Sequence, residues 1–130
     1  MTREAACSCG QLRVFTEGDP VRVSVCHCLE CQKRTGSAFG FQARWRKEHV
    51  RIEGESSAWS RKGDDGSTCE FHFCPTCGST VWYRIDDMPE FIAVAAGNFA
   101  DPSFPPPVFS VYEVRKHVWV SVPDGAERMD

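Results

Sequence analysis

The 130-residue sequence is 42% hydrophobic and 25% charged, with a formal charge of −3, the composition of a globular domain with one ordinary core. Bulk disorder, collagen and coiled coil are excluded. The negative balance argues against nucleic-acid or membrane surfaces as partners. Residues 1–7 place no apolar run behind their charge, so no secretory leader is expected. The apolar run 91–96 is too short to span a bilayer. The expectation is a single domain over 1–130, cytoplasmic and therefore in a reducing compartment.

Short segments of alternating polarity dominate the chain. Strands are expected over 11–16, 21–25, 39–45, 50–53, 57–61, 68–73, 80–85, 91–96, 111–114 and 118–120. Only 29–35 is patterned as a helix, and Gly36 ends it. Turn chemistry separates the strands at 17–20, 62–66 and 86–89. The proline-rich stretch 100–107 reads as an extended surface connection. The fold class is all-β (mainly β) with one short helix.

Eight cysteines break the ordinary pattern, at positions 7, 9, 26, 28, 31, 69, 74 and 77. Four disulfides are one reading. A reducing compartment and a chain long enough for its own core weigh against it. The spacings C-x-C, C-x-C-x-x-C and C-x-x-C instead let several sulfurs point at one centre about 2.3 Å away. Sulfur-rich sites of this kind suit zinc or iron–sulfur clusters, and the ferredoxin spacings are absent. Ligand softness alone also admits copper(I) at the three-cysteine cluster.

Cys74-Pro75-Thr76-Cys77-Gly78 is a zinc knuckle, in which Gly78 tolerates the backbone conformation that turns amides toward the sulfurs. Cys7 and Cys9, again followed by glycine, complete a closed four-sulfur structural site. Cys26, Cys28 and Cys31 remain, and three protein ligands with an open position describe a catalytic zinc. The competing reading is a closed site, completed by His27, Cys69, His72 or another side chain. His27, flanked by two ligands, is expected to point away from the metal. Cys69 alternates with Phe71 and Phe73 and reads as a core thiol. A divalent ion on three thiolates carries one net negative charge, which Lys33 and Arg34 can offset. The plainer reading makes those two residues solvated helix-surface cations.

With these motifs in order, the sequence resembles the glutathione-dependent formaldehyde-activating enzyme family, which includes centromere protein V. The likeness rests on Cys7-Ser8-Cys9-Gly10, on Cys26-His27-Cys28-Leu29-Glu30-Cys31 followed by Thr35-Gly36, and on Phe73-Cys74-Pro75-Thr76-Cys77-Gly78. Residues 95–103 and the Trp119 region extend it. It implies an Mss4-like fold of β-sheets around zinc. It also implies two zinc ions per chain, one structural on Cys7, Cys9, Cys74 and Cys77 and one catalytic on Cys26, Cys28 and Cys31. The implied reaction condenses formaldehyde with glutathione as co-substrate, formally a carbon–sulfur lyase in reverse. Lys33, Arg34, Arg44 and Arg46 are candidates for the carboxylates of a thiol tripeptide, although Arg44 and Arg46 also fit a solvated strand face. The alternative is a non-catalytic zinc-stabilised binding or glutathione-carrier module. A B-type methionine sulfoxide reductase would need a late redox cysteine, and none follows Cys77.

Overall fold

The structure, a computed structural model, describes all residues 1–130. It is mostly β, with eleven strands and one α-helix. The strands are β1 Thr2–Ala6, β2 Arg13–Glu17, β3 Arg22–Cys26, β4 Gly40–Arg46, β5 Val50–Glu53, β6 Ser57–Lys62, β7 Thr68–Phe73, β8 Thr80–Ile85, β9 Phe91–Ala95, β10 Phe109–Val111 and β11 Glu127–Arg128. Helix α1 spans Leu29–Thr35. A three-stranded sheet has the order β1-β2-β5. An eight-stranded sheet has the order β11-β10-β3-β4-β9-β8-β7-β6. No helix is long and apolar enough to cross a membrane.

The two-residue period of a strand decides what each face of the large sheet carries. Across β3, β4, β9 and β8 one row reads Val23, Ala43, Val94, Trp82. These residues are buried and join Ala5 and Val14 of the small sheet in one core cluster with Leu12, Trp45 and Val81. Burying each of the larger side chains contributes about 1.5–3 kcal/mol. The neighbouring row, on the opposite face, reads Arg22, Arg44, Ala93, Tyr83, Phe71 from β3 to β7. This row mixes arginines with aromatic rings, stays outside the main core cluster and lines a cavity.

Four stretches differ from the sequence expectation, one of them β11, which no alternation marked and which forms by parallel pairing with β10. β1 was not foreseen: its alanines are poor strand formers, but the strand pairs with β2 along its whole length and buries Ala5. The strand expected over 111–114 stops at Val111, because Tyr112 takes a left-handed backbone (φ 57°) and a 3₁₀ turn, Glu113–Arg115, follows. No strand forms over 118–120. Val118 and Trp119 are 97% and 71% exposed there, so the apolar alternation has no partner face. The proline-rich connection is pinned by buried Phe104, which packs on Phe41 and Phe99.

Candidate metal centres and the adjoining cavity

Four sulfurs converge where the small sheet meets the β7–β8 hairpin. Cys7 and Cys9 follow β1, and Cys74 and Cys77 form the tight turn after β7. Cys9 Sγ lies 3.6 Å from Cys7 Sγ and 3.7 Å from Cys74 Sγ. Four sulfurs about 2.3 Å from one tetrahedral centre stand about 3.8 Å apart, so the spacing fits zinc. The surroundings favour thiolates at Cys74 and Cys77, whereas at Cys9 the Gln11 amide is outweighed by contact with Cys7 and by burial, which hold the thiol up at about 11. The Leu12 amide donates to Cys7 Sγ at 3.3 Å and Gln11 Nε2 to Cys74 Sγ at 3.1 Å. The amides of Thr76 and Cys77 also donate to Cys74 Sγ. Hydrogen bonds from the Ser79 hydroxyl, then the amides of Ser79 and Cys9, hold the Cys77 thiol down at about 5. Gly78 adopts φ 82°, the left-handed backbone that lets the turn close.

The second cluster is local. Cys26 ends β3, Cys28 is the N-cap of α1, and Cys31 lies in the helix's first turn. Cys28 Sγ accepts the Cys31 amide at 3.2 Å, so one sulfur serves both as cap and as candidate ligand. The three sulfurs lie within 4.8 Å of one another, and no fourth His, Cys, Asp or Glu joins the group. Contacts with Cys26, then Cys31, hold the Cys28 thiol far below its ordinary value. The reciprocal contact with Cys28 holds Cys26 far above its own. The three sulfurs therefore share protons unequally, and a divalent ion replacing those protons suits this donor set. Gly36 closes the helix with φ 62°.

The trio opens into a cavity of about 530 Å³ on the polar face of the large sheet. Six arginines line it, Arg22, Arg34, Arg44, Arg61, Arg84 and Arg115, against three acidic residues, Glu30, Asp64 and Asp65. Arg34 Nη2 is 3.8 Å from Cys31 Sγ, and its guanidinium lies over the rings of Phe71 (4.7 Å) and Tyr83 (5.6 Å). The Tyr83 and Tyr112 phenols line the same cavity. Burial pushes both above their ordinary value, so at neutral pH they are proton donors.

Of the four cations singled out in the sequence, the structure brings Arg34 and Arg44 to the cavity wall. Lys33 points outward and pairs with Glu30 at 2.5 Å. Arg46 shares the face of Arg44 but lies beyond the cavity edge, exposed, over the ring of Phe91. Cys69 is half-buried on the cavity wall rather than deep in the core, and stands outside the cysteine trio. His27 turns away from the trio: fully buried, its Nε2 lies 2.9 Å from Ser110 Oγ, which in turn donates to Glu113. His72 is held between Glu70 and Ser56 and stacks on Trp82. Sequence reasoning missed Arg22, Arg61, Tyr83 and Tyr112. Arg22 carried a readable signal, since it shares a strand face with Cys26 four residues on.

The protein is thus a mostly β domain with two cysteine clusters, of three and four sulfurs, that could each hold a zinc ion. The family model for glutathione-dependent formaldehyde-activating enzymes matches residues 2–119, and the chain belongs to that family. The crystal structure of a Rhodobacter sphaeroides protein, a Northeast Structural Genomics target, matches with a TM-score of 0.57 at 18% identity. That match covers 98% of this chain and 99% of the other, and at such identity it establishes the fold alone. No curated protein matches the sequence significantly.

Proposed function

We propose that the protein is a cytoplasmic, zinc-dependent enzyme of the carbon–sulfur lyase type, joining a small aldehyde of the formaldehyde class to a thiol such as glutathione. One observation carries this reading. Three cysteine sulfurs converge without a fourth ligand at the floor of an arginine-lined cavity. A structural site would be closed by protein on all four sides. The family membership supports the thiol and the aldehyde as the reacting pair.

In the reaction the thiol sulfur bonds to the carbonyl carbon. The carbonyl π pair moves to oxygen, and the thiol proton ends on that oxygen, so no oxidant or reductant is consumed. A zinc ion on Cys26, Cys28 and Cys31 would supply Lewis acidity that favours a thiolate at neutral pH. The chain supplies the rest. Arg34, braced on Phe71 and Tyr83, keeps a positive charge beside Cys31 and so offsets the net negative charge of a loaded centre. The Tyr83 and Tyr112 phenols, kept protonated, are available to donate to the oxygen that gains charge. Tyr112 is held at the cavity by a left-handed backbone that a non-glycine residue adopts only at a cost of about 1–3 kcal/mol. Arg44 and the other wall arginines attract the carboxylates of a peptide thiol.

X-ray absorption at the zinc edge of the two-zinc protein, with and without millimolar glutathione, tests the reading. The expected result is a change at one zinc only, lost in Cys31→Ser, together with faster formation of the formaldehyde–glutathione adduct. Four protein ligands at both zincs, unchanged by glutathione and with no rate enhancement, would overturn the enzymatic reading in favour of the binding module.

A further inference from the structure

The strongest unsatisfied feature of the molecule lies at the far end of the same cavity. β3 and β4 place Arg22 directly opposite Arg44. Like charges facing each other across a strand pair are destabilising. Neither guanidinium belongs to any of the protein's ion pairs. Arg22 Nε is buried and has no hydrogen-bond partner. Arg44 Nη1 donates only to the thioether of Met88, at 3.2 Å. Burial, and then the charge of Arg44, hold the Arg22 guanidinium below its ordinary value. The heads are nevertheless fixed in place, Arg22 over Phe109 at 4.0 Å and Arg44 over Phe91 at 5.6 Å. Two clamped, facing cations with no carboxylate at ion-pair distance, Glu127 acting on Arg22 only from farther off, cost stability, and an anion placed between them would reverse the sign of that cost.

The floor between this pair and the cysteines has its own polarity. Arg22, Ser24 and Cys26 alternate along one face of β3, opposite Arg44, Gln42 and Gly40 of β4. Cys26 lies four residue steps along the strand from Arg22, about 13 Å along the backbone. Midway, Gln42 Nε2 donates to Ser24 Oγ at 2.8 Å. That bond fixes the amide orientation and leaves Gln42 Oε1 buried and without a donor. Gly40 keeps the passage open: a methyl there would stand 3.1 Å from Arg34 Nη2 and 3.4 Å from Cys31 Cβ. From the cysteine end, the floor therefore offers a thiolate centre, then a lone acceptor, then a pair of cations. The complementary ligand carries a sulfur, then an amide N–H, then a carboxylate.

We propose that Arg22, Arg44 and Gln42 form a subsite for the carboxyl-terminal arm of a peptide thiol. Gln42 Oε1 accepts the amide N–H that follows the cysteine residue, and the two guanidiniums share the terminal carboxylate. The assignment rests on the thiol–aldehyde reading of the cavity and adds to it which thiols are admitted. A cysteine extended by one residue with a free carboxylate reaches the pair. Free cysteine and γ-glutamylcysteine do not, because their carboxylates end one residue short. Fork-like guanidinium–carboxylate pairing makes the selection sensitive to loss of the charge as well as to length.

The test separates the subsite from the metal by blocking the sulfur. Calorimetry on the zinc-loaded full chain compares S-methylglutathione with its carboxyl-terminal amide. We expect the acid to bind about tenfold or more tightly than the amide. Arg22→Met and Arg44→Met should each erase that difference, while Lys47→Met, an exposed charge outside the cavity, preserves it. Both arginine variants should melt no lower than the parent, because each removes one of two facing like charges; this guards against a merely structural effect. N-acetylglycine, which carries only the amide and the carboxylate, should shift the Gln42 side-chain resonance in the parent and not in Arg22→Met. Equal binding of acid and amide, a preference that survives both variants, or no binding by either probe overturns the subsite. If S-methylglutathione binds tightly but ignores amidation and both arginine variants, the subsite falls and the glutathione reading stands. If N-acetylglycine fills the site and S-methylglutathione binds no tighter, the subsite stands and the glutathione reading falls.

Discussion

Cys69 stands on the cavity wall yet gives no sulfur to the trio. It pairs across the strand with Arg61, two residues along β7 from buried Phe71. Burial pushes its thiol up, which keeps it protonated and a poor metal ligand. Cys26 and Cys28 differ by being tied to each other and to Cys31, contacts that hold the Cys28 thiol down and the Cys26 thiol up. Reactivity here follows the company a sulfur keeps, and depth alone does not decide it. The expected outcome for Cys69→Ser is an unchanged zinc content of two per chain, read by atomic absorption. Its stability should fall by about 1 kcal/mol, the cost of placing a poorly paired hydroxyl in a half-buried site. Loss of one zinc would make Cys69 a ligand of the second centre.

At the scale of elements, the turn between β5 and β6 controls the first cysteine cluster. Gly54 has φ 96°, and a methyl there would lie 2.0 Å from the Gln11 carbonyl oxygen. Gln11 binds both backbone groups of Glu55 through its side-chain amide and also donates to Cys74 Sγ. Gly54→Ala is therefore expected to push Gln11 off Cys74. It should cost about 2–4 kcal/mol in urea unfolding and speed zinc loss to a chelator, even though the residue is not a ligand.

The same element scale shows what could be read in the sequence. Helix 29–35 was legible from its pattern and from the glycine that ends it, whereas its start is capped by Cys28 Sγ, which is not one of the usual capping residues. The strands 50–53, 68–73 and 80–85 were legible because alternation and turn residues agreed. The segment 118–120 shows the same alternation and is not a strand, since periodicity reports what a residue would bury and not whether a partner face exists. The cysteine groups were legible from spacing alone. The arginine wall was not: Arg22 meets Arg44 only through the register of two strands joined by α1. Nothing in local sequence separates Arg44, which lines the cavity, from Arg46 just beyond its edge.

The whole molecule gives its two cysteine clusters unequal positions. The sulfurs of the first come from the chain after β1, in the small sheet, and from the β7–β8 turn, in the large one, and Cys9 and Cys74 are 65 residues apart. A metal there would clip one sheet to the other. In the chain-entropy picture, closing a 65-residue loop is worth about 4 kcal/mol, whereas closing the five-residue span of Cys26 to Cys31 is worth about half that. The second cluster also lies within one strand end and one helix turn, whose backbone bonds persist without an ion. Cys74→Ser is thus expected to lower the melting temperature by about 15 °C and to loosen both sheets in hydrogen exchange. Cys28→Ser should lower it by less than half as much, with protection lost only around α1 and the end of β3. Adding a chelator should melt the parent protein toward the Cys74→Ser value, and removing only the ion of the three-sulfur centre, which has one side open to the cavity, should leave it near the Cys28→Ser value. Equal losses in the two variants would mean that the trio also holds the sheets together. The open centre would then be part of the frame, and its vacant side could not be reserved for a ligand.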